Sequence, residues 1–485
     1  MSSKNSKALL ATIGAVIALS GCGGGADRVA SPGIGAFPPP PPVAPPPPPP
    51  VTPPPAAGPA ADCPIGFNNV GTVANNTLRN CQLPQKVIGT LVLPNRASTV
   101  YSVSGRVDIG DDQGGDANAP VAGRQKGILT LEPGVRVFGA AGLDYLVINR
   151  GSQIFAEGTA SAPIVLTSKA NIEGTTNIDS IGQWGGLVIL GRAPINNCPG
   201  TTTPGTANCE AQVEGTNAFF GGNQPADNSG VLKYFRVQYS GFQILPNNEL
   251  NGITLAGVGN GTTMDYVQVH NSSDDGIEWF GGTVNAKHLV LTGNDDDNLD
   301  TDNGWNGRVQ YAIVRQRAGG GDRGAETSNA GGIVRAPVSN PKVANATFVG
   351  RVGGGVGIIL NSGTNSEFYN TVVTGFDRGC LDVDDAGTTG KFHSVFFSCP
   401  KAFDDDADGV AAALFNAGTR NTANGTSTLT NIFVNGANET AVQAFGQLKA
   451  LSSFFDETTY IGAVKDANDT WWNGWTCGLT ADKSC

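Results

Sequence analysis

Three acidic stretches recur in the middle of the chain: DDGIEWFGG from Asp274, DDNLDTDNG from Asp296 and DRGAETSNA from Asp322. Each sets charged residues ahead of a short step that ends in a further carboxylate, at Glu278, Asp300 and Glu326. Carboxylates about 5 Å apart repel unless a cation or a shared proton lies between them. Three outcomes follow. Asp274, Asp275, Glu278, Asp296, Asp297, Asp300 and Glu326 are candidate ligands for a hard cation, calcium foremost, with Asn294, Asn298 and Asn303 as further oxygen donors. Alternatively, a pair drawn from Asp274, Asp275, Glu278, Asp296, Asp297 and Asp300 shares a proton and hydrolyses a glycosidic bond. The third outcome is a solvated acidic turn held by backbone amides and arginines. For β-elimination from an acidic polysaccharide the available basic residues are Arg323 and Lys287. An enzyme built here would draw on Asp275, Glu278, Asp297, Asp300 and Arg323.

What positions these residues is a repeat. Strand-like stretches start at YFRVQYS (234–240), YVQVHNS (266–272), HLVLTGN (288–294), YAIVRQR (311–317), NATFVGR (345–351), NTVVTGF (370–376) and HSVFFSC (393–399). Where no loop intervenes, neighbours sit 22 to 25 residues apart. A second set follows within each period, from GIEWFGG (276–282) to GCLDVDD (379–385). Two strands per period, repeated, predict a right-handed parallel β-helix, each repeat forming one coil. Equivalent residues on successive coils then lie about 4.8 Å apart. Ile277, Leu299, Ala325, Ile358 and Cys380 form the predicted inward column. The next column, facing outward, is Glu278, Asp300, Glu326, Ile359 and Leu381.

Composition agrees with this architecture. Of 485 residues 68 are glycine, and charged residues reach only 15%. That suits short strands and tight turns better than long amphipathic helices. The formal net charge is −11, with no basic stripe. Nucleic acid is therefore excluded as a partner, while cations and neutral glycans remain open.

At the N-terminus Lys4 and Lys7 precede an apolar run ending in LSGC. This reads as a secretory signal and resembles the lipobox of bacterial lipoproteins. The resemblance implies that residues 1–21 are removed, that Cys22 carries the lipid, and that the anchor lies in the outer membrane. Losing the two lysines moves the charge from −11 to −13. Residues 22–61 contain FPPPPPVAPPPPPPVTPPP, a polyproline II spacer with no core of its own. The β-helix is expected over 62–432 and a C-terminal cap over 433–485. Eight further cysteines in an exported chain read as disulfides, and nearest-neighbour pairing gives Cys63–Cys81, Cys198–Cys209, Cys380–Cys399 and Cys477–Cys485. With no CxxC and three scattered histidines, zinc is not indicated.

A second acidic run, FDDDADG, offers Asp404, Asp406 and Asp408 as a calcium-binding turn, although position twelve of the EF-hand pattern is Phe415. No convincing amphipathic helix precedes residue 430. TAVQAFGQLKALSSFFD (440–456) carries apolar residues every three or four positions and is the predicted helix. Trp471, Trp472 and Trp475 follow it, either stacking on sugars or burying the final coil. That tail is also the candidate cover for Ile359 and Leu381.

GQWGGLVILGRAPI (182–195), DDGIEWFGGTVNAKHLV (274–290) and YIGAVKDANDTWWNGW (460–475) resemble segments of a family of bacterial exported β-helix lipoproteins. The likeness covers most of residues 120–480 and carries no activity with it, so no catalytic residue is transferred. It implies, by association, surface nutrient handling beside a TonB-dependent receptor. The sequence thus points to a surface binding or accessory module, with a polysaccharide as candidate ligand and calcium as candidate cofactor. A calcium-dependent lyase or glycoside hydrolase, and a structural stalk or adhesin, are the alternatives.

Overall fold

In a computed structural model, residues 58–485 are described apart from 246–247, 330–334, 386, 406–407 and 481–484. The signal-like run, Cys22 and nearly all of the proline stretch lie outside the described residues. The repeating strands stack into two parallel sheets. A ten-stranded sheet climbs from Lys86–Val87 through Ile253–Ala256, Ile277–Phe280, Asp297–Asp302, Arg323–Thr327 and Val356–Leu360 to Gly379–Val383. A fifteen-stranded sheet climbs beside it through Gly230–Gln238, Thr263–His270, Asn285–Thr292, Arg308–Arg315, Lys342–Val349, Asn365–Thr374 and Thr389–Ser398. Coil pairs with coil in parallel throughout, while an antiparallel hairpin, Asn68–Val73 with Leu78–Gln82, closes the N-terminal end. This is a right-handed parallel β-helix.

The long strands turn a corner at a single residue. Gln153–Glu157 pairs with the first half of Gly230–Gln238 and Ile164–Ser168 with the second, with Tyr234 between them. Tyr234 has φ 46°, and the same left-handed backbone recurs at Tyr266, His288, Tyr311, Asn345, Asn370 and Ser394. Left-handed geometry in a non-glycine residue costs on the order of 1 kcal/mol or more. Hydrogen-bonded strand on either side holds it in place. Because the corner side chains stack, the rings of Tyr234 and Tyr266 lie 4.4 Å apart and those of Tyr266 and His288 4.2 Å apart.

Inside the coils, Ile253, Ile277, Leu299, Ala325, Ile358 and Leu381 form one buried column. The predicted register slips by one residue at its last step. Leu381, not Cys380, pairs with Ile358, and Asp382, not Leu381, stands next to Ile359. Matching the glycines of GIILNSG and GCLDVDD caused the slip, because Gly379 pairs with Val356. The other strand set slips likewise at its end, where His393 pairs with Tyr369 rather than Asn370.

The C-terminal region departs furthest from expectation. Helix Val410–Ala417, which the sequence does not suggest, caps the last coil: Phe415 is buried, 4.4 Å from the Phe397 ring and 5.4 Å from that of Phe403. The helix expected over 440–456 is absent, leaving only the single turns Ala437–Thr440 and Leu448–Leu451. Its backbone donors are used elsewhere. Asn370 Oδ1 accepts from the Phe445 N–H at 2.6 Å, and Glu457 accepts from Leu448 and Lys449. The apolar spacing is real, but it docks an irregular strap on the long sheet. Leu448 and Phe455 pack on Ala344 and Tyr369, Ile461 on Val372, Phe433 and Val434 against Val290 and Ile313. The tail therefore lies along the long sheet and does not cover Ile359, while Leu381 is interior. All four disulfides join nearest neighbours in sequence: Cys63–Cys81, Cys198–Cys209, Cys380–Cys399 and Cys477–Cys485.

Candidate functional site

Strands Ile277–Phe280, Asp297–Asp302 and Arg323–Thr327 pair in register, so Glu278, Asp300 and Glu326 form one outward column. The turn before each strand adds Asp274 and Asp275, then Asp296 and Asp297, then Asp322. That turn must run close under the next coil: a Cβ on Gly276 would stand 2.5 Å from the Asn298 carbonyl oxygen. The asparagines expected as ligands build the turn instead. Asn294 accepts from the Ser272 N–H and donates to Asn298 Oδ1, and Asn298 donates to the Arg323 carbonyl. Asn303 is a buried residue with φ 55° at the far end of its strand.

These residues open onto a cleft of about 1020 Å³, in which ten of fifteen lining residues are carboxylates. Two of the ten, Glu214 and Glu249, stand on excursions between coils and interrupt no repeat, so nothing in the sequence pattern singles them out. Phe242 and Ile181 supply an apolar edge. Three overlapping trios, Asp275/Glu278/Asp300, Asp274/Asp275/Asp296 and Asp296/Asp297/Asp322, each bring oxygens within 4.8 Å of one another. Asp297 is 3% exposed, and its Oδ1 and that of Asp300 are buried with no hydrogen-bond partner.

Burial, and then the charge of Asp296, push the Asp274 carboxyl up to about 8. Burial first and neighbouring carboxylates second raise Asp275, Glu278, Asp297 and Asp300 well above the usual range. Asp296 and Glu214 rise as well, mainly through burial. Some order is imposed by hydrogen bonds: Asn251 Nδ2 donates to Glu278 at 2.6 Å and the Asp297 N–H to Asp275 at 3.0 Å. Arg323 lies 2.8 Å from Asp322, 3.1 Å from Glu326 and 3.5 Å from Asp297. Burial opposes its charge, but Asp297 and Glu326 outweigh that and raise its pKa. A guanidinium so held does not act as a base. Asp295 at the margin is bound by Arg317 at 2.5 Å.

Other sequence candidates lie elsewhere. Lys287 is on the long sheet, 2.7 Å from Asp456 and against the Phe454 ring, away from the cleft. Asp404 pairs with Arg378 at 2.9 Å and Asp408 accepts from the Val410 N–H, while Asp406 lies outside the described residues. The caps of that run serve the helix: Asp405 accepts from Ala411. Trp475 is 1% exposed, edge-on to Tyr234 and Tyr266, which leaves no face for a sugar. Trp471 packs on His288 and Trp472 on Phe433, both half-buried.

A family model described as a pectate-lyase-like β-helix domain matches residues 115–476. The chain belongs to that family. No curated protein and no solved structure matches it.

Proposed function

We propose that this pectate-lyase-like β-helix is a calcium-dependent, non-catalytic binding module for neutral glycans, carried on the bacterial surface by a lipid at Cys22. The observation that supports it is the cleft in which ten carboxylates gather. Buried like charges destabilise the fold unless neutralised, and a hard cation with oxygen ligands does this most directly. Sugar hydroxyls would complete the ion's coordination, with Phe242 as an apolar contact.

Charge decides between ligand classes. Among the described residues Arg323 and Arg317 are the cations bound to this cluster, and two divalent ions would still leave a negative cleft. Such a field repels a uronate chain. It also speaks against a lyase, which needs a basic residue free to take a proton. The LSGC lipobox and proline spacer support surface presentation, and a TonB-dependent receptor is the proposed partner.

One observation favours a second reading, glycoside hydrolysis: Asp274, at about 8, would carry a proton at neutral pH beside Asp296. Titration of neutral and uronic oligosaccharides, with calcium and with chelator, separates the readings. Calcium-dependent binding of neutral chains with no released product is expected. Release of oligosaccharides that stops in Asp296→Ala would replace the module with an enzyme.

A further inference from the structure

The acidic ladder ends at a residue that is itself a cation. One nitrogen of Arg323, Nη1, lies 2.8 Å from Asp322, 3.1 Å from Glu326 and 3.5 Å from Asp297. These three carboxylates come from two coils and surround one positive centre, as ligands surround an ion. Two of them, Asp297 and Asp322, also belong to the trio Asp296/Asp297/Asp322.

The other two trios differ. Among the described residues Asp274, Asp275, Glu278, Asp296 and Asp300 take part in no ion pair, though all line the cleft. Asp300 Oδ1 is buried without a hydrogen-bond partner. Asp297, 3% exposed and lining the same cleft, keeps its Oδ1 equally unpartnered. Beyond Glu326 the next residue in the column is Ile359, which breaks the run of carboxylates and separates Glu326 from Asp382 one coil further on.

We infer that Arg323 is a built-in cation filling the third of three stacked positions, and that the cleft takes two divalent ions at Asp275/Glu278/Asp300 and Asp274/Asp275/Asp296, bridged by Asp275. This rests on the cation-binding reading above and adds its stoichiometry and its limit. A tethered guanidinium cannot leave, and its charge disfavours a mobile ion beside it. It therefore fixes both the number of ions and the end of the row.

Calcium binding to the full chain, counted by equilibrium dialysis and by calorimetry, tests this. Wild type should bind two ions, Arg323→Gln three, and Arg323→Lys two. Asp322→Asn should still bind two, because its position is already filled, and it serves if Arg323→Gln fails to fold. Wild type binding ions but with an unchanged count in Arg323→Gln, or a lost ion in Asp322→Asn, overturns the role of Arg323 alone. Wild type binding no calcium removes the cation-binding reading and this inference with it.

Discussion

Glu278 and Asp300 stand opposite one another on successive coils, with carboxyl oxygens within 4.8 Å of each other. Burial raises both carboxyls; Asp300's charge raises Glu278 further, and Glu326's charge does the same for Asp300. Two buried carboxyls that cannot both ionise cheaply are poised to exchange a proton for a metal ion. Binding of calcium at a hundred times Kd should stabilise the fold by about 2.7 kcal/mol. Differential scanning calorimetry with calcium and with chelator measures it, and coincident melts would remove the ion from the site. Asp300→Asn should abolish most of the shift while raising chelated stability by about 1 kcal/mol, the ordinary scale of a point change.

The pH dependence should run against the usual carboxylate trend. Asp274 rises from 3.8 to about 8 on folding, so the folded chain holds its proton more tightly. That contribution is complete below the unfolded pKa and is lost as pH climbs through the folded one. In chelator, melting temperature should fall between pH 5 and 8. Glu439 and Glu367, both lowered despite burial, act in the opposite sense, but near and below their ordinary value of 4.5. Calcium should flatten the slope, since the ion replaces the protons. Melting curves that rise with pH across that range in chelator would contradict the site's electrostatics.

Phe415 fills the open end of the coil stack against Phe392, Phe397 and Phe403. Phe415→Ala should cost about 3–5 kcal/mol. Hydrogen exchange should rise first in Thr389–Ser398, the strand the cap covers. Uniform loss of protection over all coils would mean the helix does not act as a local cap.

Trp475 offers the cleanest separation of packing from recognition. Trp475→Ala should destabilise by about 3–5 kcal/mol and free the strap from Tyr234 and Tyr266. Glycan affinity, measured well below the melting point, should stay unchanged. A selective loss of affinity would return this tryptophan to the binding surface.

Much of the architecture was legible because a β-helix writes its register into the chain. Ile277, Leu299, Ala325 and Ile358 recur at coil spacing, and each must be buried. Their neighbours Glu278, Asp300 and Glu326 must then share a face. Where the pattern thins, the reading slips: GCLDVDD holds two apolar residues side by side, and only strand pairing shows that Leu381 continues the inner column. The tail misled for another reason. Apolar spacing of three to four in 440–456 fits a helix, yet Asn370 and Glu457 claim backbone donors that the helix would need. Local periodicity lost to tertiary hydrogen bonds.

By itself the sequence determined the coil and the carboxylate column, because each depends on residues related by near-constant spacing; nearest-neighbour pairing named the four disulfides, and the structure decided their connectivity. Only the tertiary structure decided that Glu214 and Glu249 line the same cleft, that Lys287 lies on the other sheet with Trp475 packed against it, and that Arg323 closes the row. Those relationships are set by where excursions and the strap land on the stack. Their positions follow from packing between distant segments, which no repeat encodes.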